Sequence, residues 1–105
     1  MKETAYQTEL MKKIFDLIPD CIVLKNDPRH IQGIPDLIVL HGNKWGALEV
    51  KISDKAPIQP NQQYYVDALG EMSFASFISP DNEEDVLSEL QHALGITGQA
   101  RISKP

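Results

Sequence analysis

Along residues 3–18 the apolar positions Leu10, Ile14 and Leu17 recur at helical spacing, and seven residues back from Leu10 the same face carries Glu3, with Tyr6 and Gln7 one turn on. This stripe predicts an amphipathic helix packed on a sheet. The run Ile22-Val23-Leu24 predicts a short strand at 21–25, followed by the polar loop Asn26-Asp27-Pro28-Arg29-His30. Leu37-Ile38-Val39-Leu40 and Ala47-Leu48-Glu49-Val50-Lys51-Ile52 predict strands at 36–41 and 46–52, and the turn chemistry of His41 to Gly46 joins them as a hairpin. Helical spacing returns at Gln62, Tyr65, Val66 and Leu69, with Pro60 suited to the first helical position and Gly70 to the stop, giving a helix at 60–69. A strand near 74–78 and a helix from about Asn82 to Leu94 follow; Ser79 with Pro80, or Asp81 with Glu84, supplies the start signal and Gly95 the end. The order αβββαβα defines an α/β fold, a mixed β-sheet flanked by helices, in which helix 60–69 makes a right-handed crossover.

Strand periodicity then carries the chemistry. Alternate side chains of 47–52 share a face, so Glu49 and Lys51 project together while Leu48, Val50 and Ile52 enter a core. Asp36, in Gly33-Ile34-Pro35-Asp36 at the mouth of the first hairpin strand, comes to lie beside Glu49. Two adjacent carboxylates make a hard-oxygen site for Mg²⁺ or Mn²⁺, and the backbone carbonyl of Val50 offers a third protein ligand. Singly, each residue has a plain structural reading: an Asp after Pro caps a turn, and a Glu with a Lys on one strand face is a solvated edge. Their occurrence in order, inside an apolar segment, favours a site. Glu3, an acid on the inward side of its helix, wants a cation or a hydrogen-bond partner, although the helix dipole alone favours an acid there. Glu9 is better placed for solvent and a pair with Lys13. Gln62 continues an inward stripe, where its amide would hold a water or phosphate oxygen near the metal, or bond a loop carbonyl; Gln63 points elsewhere.

The G-x-P-D step at Gly33 to Asp36 and the E-x-K step at Glu49 to Lys51 resemble the PD-(D/E)XK nuclease superfamily. With an N-terminal helix acid before them and a glutamine opening the next helix, the chain from about Glu3 to Leu94 resembles the virus-type replication-repair branch, VRR-NUC. The resemblance implies a restriction-endonuclease-like core, Asp36 and Glu49 as metal ligands, Lys51 as catalytic lysine, Gln62 as helix glutamine and Glu3 as N-terminal acid. It implies phosphodiester hydrolysis with Mg²⁺ or Mn²⁺ by a structure-selective DNA endonuclease of phage or prophage type, similar to Holliday junction resolvases that act as homodimers on branched DNA. A flap or nicking nuclease within a larger replication or recombination complex stays open. From another class, a non-catalytic or partner-dependent accessory module would keep the fold but is expected to lose one of Asp36, Glu49 or Lys51, and all three are present. An acidic DNA mimic would account for the last helix but not for this centre.

Composition bounds the reading. The 105 residues suit one domain, 1–105, whose basic tail at 98–105 is expected to be loosely held. No apolar run approaches a membrane span and the N-terminus lacks a signal-peptide core, so a cytoplasmic location is expected, that of the host if viral. The lone Cys21 reads as a buried small hydrophobe, and His30, His41 and His92 lack zinc-ligand spacing. The formal charge of −5 opposes phosphate binding. Two divalent cations would offset most of it, and the acid concentrated at Asp81 to Asp85 and Glu89 is expected to open a helix away from the site. Lys25, Arg29, His30, Lys44, Lys51 and Lys55 are expected to form a basic rim, with Lys25, Arg29, His30 and Lys55 as the nucleic-acid contacts. Trp45 is expected to be exposed in the hairpin turn, and Tyr64 and Tyr65 to pack.

Overall fold

The computed structural model describes residues 2–96; the tail at 98–105 lies outside the described residues. The elements follow the predicted order: α1 (Glu3–Leu17), β1 (Ile22–Lys25), β2 (Leu37–His41), β3 (Lys44–Val50), α2 (Pro60–Met72), β4 (Phe74–Ile78) and α3 (Glu83–Ala93). The sheet order is β1-β2-β3-β4, antiparallel across the first two pairings and parallel between β3 and β4. That last pairing requires a crossover, which α2 provides.

One sheet face is the main core. Leu37 and Val39 of β2, Leu48 and Val50 of β3 and Ile78 of β4 meet Tyr6, Leu10 and Ile14 of α1 and Val86, Leu87 and Leu90 of α3, all buried in one cluster with Cys21. Strand alternation selects these residues and leaves Ala47 and Glu49 for the opposite face, where α2 covers β3 and β4. Gly46 permits the close approach of α3, because a Cβ there would stand 2.6 Å from Leu90 Cδ1.

The hairpin is tighter than the sequence implied. Only Gly42 and Asn43 link β2 and β3, with φ of 62° at Gly42 and no positive φ at Asn43, the pattern of a type II′ turn whose twist suits the strands. The β3 strand therefore begins at Lys44 and ends at Val50. Trp45 lies in the strand opposite Leu40, half-buried, instead of at an exposed tip. Ile52 falls beyond the strand and is 49% exposed, so it does not enter the core. Helix α2 also overruns its expected stop: Gly70 keeps a helical backbone, the Ser73 amide still donates to Leu69 O at 2.9 Å, and the helix continues to Met72. Gly95 does end α3, at φ 80°, with the Ile96 amide donating back to Gln91 O at 2.8 Å in a Schellman-type closure. Lys13 pairs with Glu83 of α3 at 2.6 Å rather than with Glu9, because the two helices pack side by side.

Candidate metal centre

Register brings the two acids together. Leu37 pairs with Leu48, so one further step sets Asp36 opposite Glu49 on the face away from the α1 and α3 core. The Val50 amide donates to Asp36 Oδ2 at 2.9 Å, fixing the side chain across the strand end. Behind it, Asn26 donates twice: its backbone amide to Asp36 O at 2.8 Å and its Nδ2 to Pro35 O at 2.7 Å. Asn26 has no motif signal in the sequence, since its partners lie nine residues on across a loop.

Glu49 and Lys51 project together as expected, but into a buried environment, at 4% and 9% exposure. The Lys51 amide continues the parallel ladder by donating to Ile78 O at 2.8 Å, which carries the alternation one residue past the strand. Lys51 Nζ donates to Pro57 O at 2.9 Å and Gln62 Oε1 at 2.7 Å. Gln62 Nε2 donates to Glu49 Oε2 at 3.0 Å, and the Gln59 amide also donates to Gln62 Oε1 at 2.9 Å. This pattern fixes the amide orientation, because the flipped form would set an NH₂ against an ammonium and a backbone N–H. Gln62 thus bonds no loop carbonyl: it closes the first turn of α2 through the Gln59 amide and bridges Lys51 and Glu49. Among the described residues, Lys51 makes no direct ion pair with either carboxylate.

Lys51 and Lys25 therefore act on the carboxylates only from a distance, without a direct ion pair among the described residues. Burial pushes Glu49 up to about 8, reinforced by the neighbouring Asp36 and opposed by Lys51. Burial also raises Asp36, against the Val50 hydrogen bond and the charges of Lys51 and Lys25. Glu3, on the first turn of α1, is raised by desolvation and then by Asp36. Its side chain is exposed by area, so it faces this field from the rim rather than from the buried stripe. Gln7, one turn on, is buried and its Oε1 has no partner among the described residues.

The donor set fits a hard cation. No three His, Cys, Asp or Glu side chains group into a metal cage among the described residues, but Mg²⁺ uses one or two carboxylates and leaves its other positions to waters and substrate phosphate. Asp36 and Glu49 are two carboxylates that would suit such a cation.

The outer residues divide. Lys25 ends β1 and is close enough to act on the Asp36 charge. Arg29 is forked onto Asp27, with Nη2 at 2.8 Å from Oδ2, so its charge is partly spent locally. His30 is exposed and lines a cavity of about 150 Å³ with Asn26, Asp27, Ile31 and Ile34. Lys55 is exposed on the loop after Lys51. Lys44 does not belong to the rim: it starts β3 at the hairpin, while the acids lie at the strand's other end. Nor is the acidic start of α3 remote, because Asp81 Oδ2 accepts the Asp54 amide at 2.8 Å and Asn82 lines a cavity with Lys51. Tyr64 is 63% exposed and meets Tyr65 edge to face at 5.0 Å, so it does not pack inward.

A four-stranded mixed sheet with an acid pair and a lysine at one end, flanked by helices in this order, defines a restriction-endonuclease-like fold. The chain shares it with a VRR_NUC domain protein, 18% identical, over 92% of this chain and 91% of that one at a TM-score of 0.61. It is also similar to the Holliday junction resolvase Hjc of the archaeal hyperthermophile Archaeoglobus fulgidus, 12% identical, over 72% of this chain and 67% of that one at a TM-score of 0.52. No family model matches the sequence, and no curated protein matches it. At these identities the likeness is one of fold.

Proposed function

We propose that the chain is a single-domain, Mg²⁺- or Mn²⁺-dependent DNA endonuclease that hydrolyses phosphodiester bonds. The observation that carries the reading is the half-buried Asp36 beside the buried Glu49, both raised toward protonation and set near a lysine that makes no direct ion pair with either. Two adjoining, largely desolvated acids without a direct ion pair are a costly arrangement unless a cation completes them. Asp36 and Glu49 would hold the metal, with the Val50 carbonyl as a further protein ligand and Glu3 acting on its charge from the rim. The bound cation supplies Lewis-acid polarisation of the phosphate and a nucleophilic water at neutral pH. Lys51 presents its ammonium to the charge that develops on the phosphoryl oxygens and orients the attacking water. Gln62 keeps Lys51 and Glu49 from collapsing into an ion pair, since its amide stands between them with a donor for one and an acceptor for the other.

The substrate is proposed to be branched DNA, by analogy with the resolvase of like fold, cut by a homodimer whose two sites make paired incisions. Lys25, Arg29, His30 and Lys55 would contact the phosphate backbone, and the host-cell cytoplasm is the proposed location if the protein is phage-borne. The acidic balance and the nearby start of α3 favour a second reading, a module that needs a partner within a replication or recombination complex before it engages DNA. Cleavage of a labelled four-way junction, beside its linear duplex and a flap, with Mg²⁺ or Mn²⁺ and with the Lys51→Ala protein, tests both. Symmetric junction cuts that vanish in the variant are expected; absence of any metal-dependent cutting would move the assignment to the partner-dependent module.

A further inference from the structure

We infer that Asn26 is the positioning residue of the metal ligand Asp36. The inference rests on the metal reading of Asp36 and adds a residue that takes no part in the motifs. Asn26 follows β1 directly and touches both carbonyls around Asp36: its backbone amide holds Asp36 O at 2.8 Å and its side-chain Nδ2 holds Pro35 O at 2.7 Å. These carbonyls belong to the two peptide planes on either side of the Asp36 Cα, Pro35–Asp36 and Asp36–Leu37. With the Val50 amide on Asp36 Oδ2, the residue is held from three directions, and the direction of its Cβ is set.

Only one of the two Asn26 bonds belongs to the side chain. Substitution keeps the backbone amide, and so the alignment of β1 with β2, but removes the donor to Pro35 O. Pro35 is fully buried, so its carbonyl then lacks the partner it has here. The peptide plane that leads into Asp36 loses its restraint, and the carboxylate becomes free to sample positions away from Glu49. The loop's other end is anchored separately: Asn61 Nδ2 donates to Gln32 O at 3.1 Å, and Gly33 at φ 92° lies so close to Asn61 that a Cβ would stand 2.8 Å from it. Loss of the Asn26 side chain therefore loosens the Asp36 end of the loop while leaving its α2 anchor.

The test is Mn²⁺ binding to the full chain by calorimetry, which reads the ligand pair without DNA or turnover. Asn26→Ala and Asn26→Ser are compared with Val86→Ala, which makes a cavity in the core on the sheet face opposite the acids. The expected result is a roughly tenfold weaker Mn²⁺ affinity in both Asn26 variants, the scale of lost support behind a metal ligand, and an unchanged affinity in Val86→Ala despite its lower melting temperature. If Asn26→Ala does not fold, Asn26→Ser carries the same reading. Wild-type Mn²⁺ affinity in a folded Asn26 variant, or an equal loss in Val86→Ala, overturns the positioning role and leaves the nuclease reading standing. Failure of the wild-type protein to bind Mn²⁺ overturns both.

Discussion

Two clusters in this protein pair a lysine with a glutamate on packed elements, and they differ in whether the charges are met. Between α1 and α3, Glu83 accepts from Tyr6 Oη at 2.8 Å and from Lys13 at 2.6 Å, one donor for each carboxylate oxygen. At the end of β3, Glu49 receives one amide hydrogen from Gln62, while Lys51 gives its own to Pro57 and Gln62. The first cluster is complete and lines a roomy cleft of about 420 Å³ with Asp16, Glu84 and Gln91, yet it has no unmet chemistry. The second carries two acids raised by burial, and its Lys51 lines a cavity of about 230 Å³ with Asp54 and Asn82. The two clusters differ in whether each carboxylate oxygen has its own donor.

The sharpest way to break the comparison is to remove one member from each side. Asp36→Ala, Glu49→Ala and Lys51→Ala are expected to reduce junction cleavage by at least about 10²–10³-fold, the scale of losing a preorganised charge, with the far-UV dichroism of a folded protein. Glu83→Gln and Lys13→Ala are expected to leave the rate within about twofold. A fully active Lys51→Ala protein would remove the lysine from the chemistry, and a dead Glu83→Gln protein would erase the distinction between the clusters.

Completing the second cluster should also stabilise the fold. Mn²⁺ at a hundredfold excess over its Kd contributes about 2.7 kcal/mol by mass action, which is roughly 10 °C in melting temperature for a domain of this size. The gain is expected in the wild-type protein and in Glu83→Gln, but not in Asp36→Asn or Glu49→Gln. A scanning-fluorimetry series with and without Mn²⁺ decides it; equal gains in all four proteins would mean that the cation binds elsewhere.

Much of this contrast was legible in the sequence, and the remainder shows what periodicity does not carry. Alternation along 47–52 put Glu49 and Lys51 on one side, and the Asp36 position followed from the hairpin, because both depend on the pleat and its register. The width of the turn did not, since five of the six residues from His41 to Gly46 are polar or small, Trp45 being the exception, while only Gly42 among the six adopts a positive φ. Trp45 was misplaced for that reason, and Ile52 because strand pairing stops at Val50 and the Lys51 amide. The acidic start of α3 was read as distant because its contact with Asp54 joins residues 27 apart in the chain. Asn26 and Pro57 were invisible for the same cause: a backbone carbonyl has no letter in the sequence.

The pH dependence of the metal-free protein separates the clusters again. Glu49 has an ordinary value of 4.5 and about 8 when folded, so between those values the native state binds more protons than the unfolded chain. Stability must then fall as pH rises: the contribution is full below pH 4.5 and lost as pH passes through about 8. The slope from this one group is at most about 1.4 kcal/mol per pH unit. Urea unfolding in EDTA at pH 6, 7 and 8 is expected to show the decline in the wild-type protein and a flatter profile in Glu49→Gln. Saturating Mg²⁺ should flatten the wild-type profile too, by holding Glu49 ionised in the folded protein, as it already is in the unfolded chain above its ordinary value of 4.5.

The smallest effect belongs to the complete cluster. Tyr6→Phe removes one hydroxyl from Glu83 while Lys13 remains on the other carboxylate oxygen, so Glu83 keeps a charged partner. The expected loss is about 1 kcal/mol, that of a single hydrogen bond to a charged acceptor in a half-open setting. Burial and the Glu83 hydrogen bond raise the Tyr6 hydroxyl far above its ordinary value, so it stays a neutral donor at every pH at which the wild-type and variant proteins would be compared. The stability difference between them should therefore be constant from pH 6 to pH 8, where the Glu49 effect varies. A difference that changed with pH in step with Glu49 would show that the two clusters are coupled through α1, which carries both Tyr6 and Glu3.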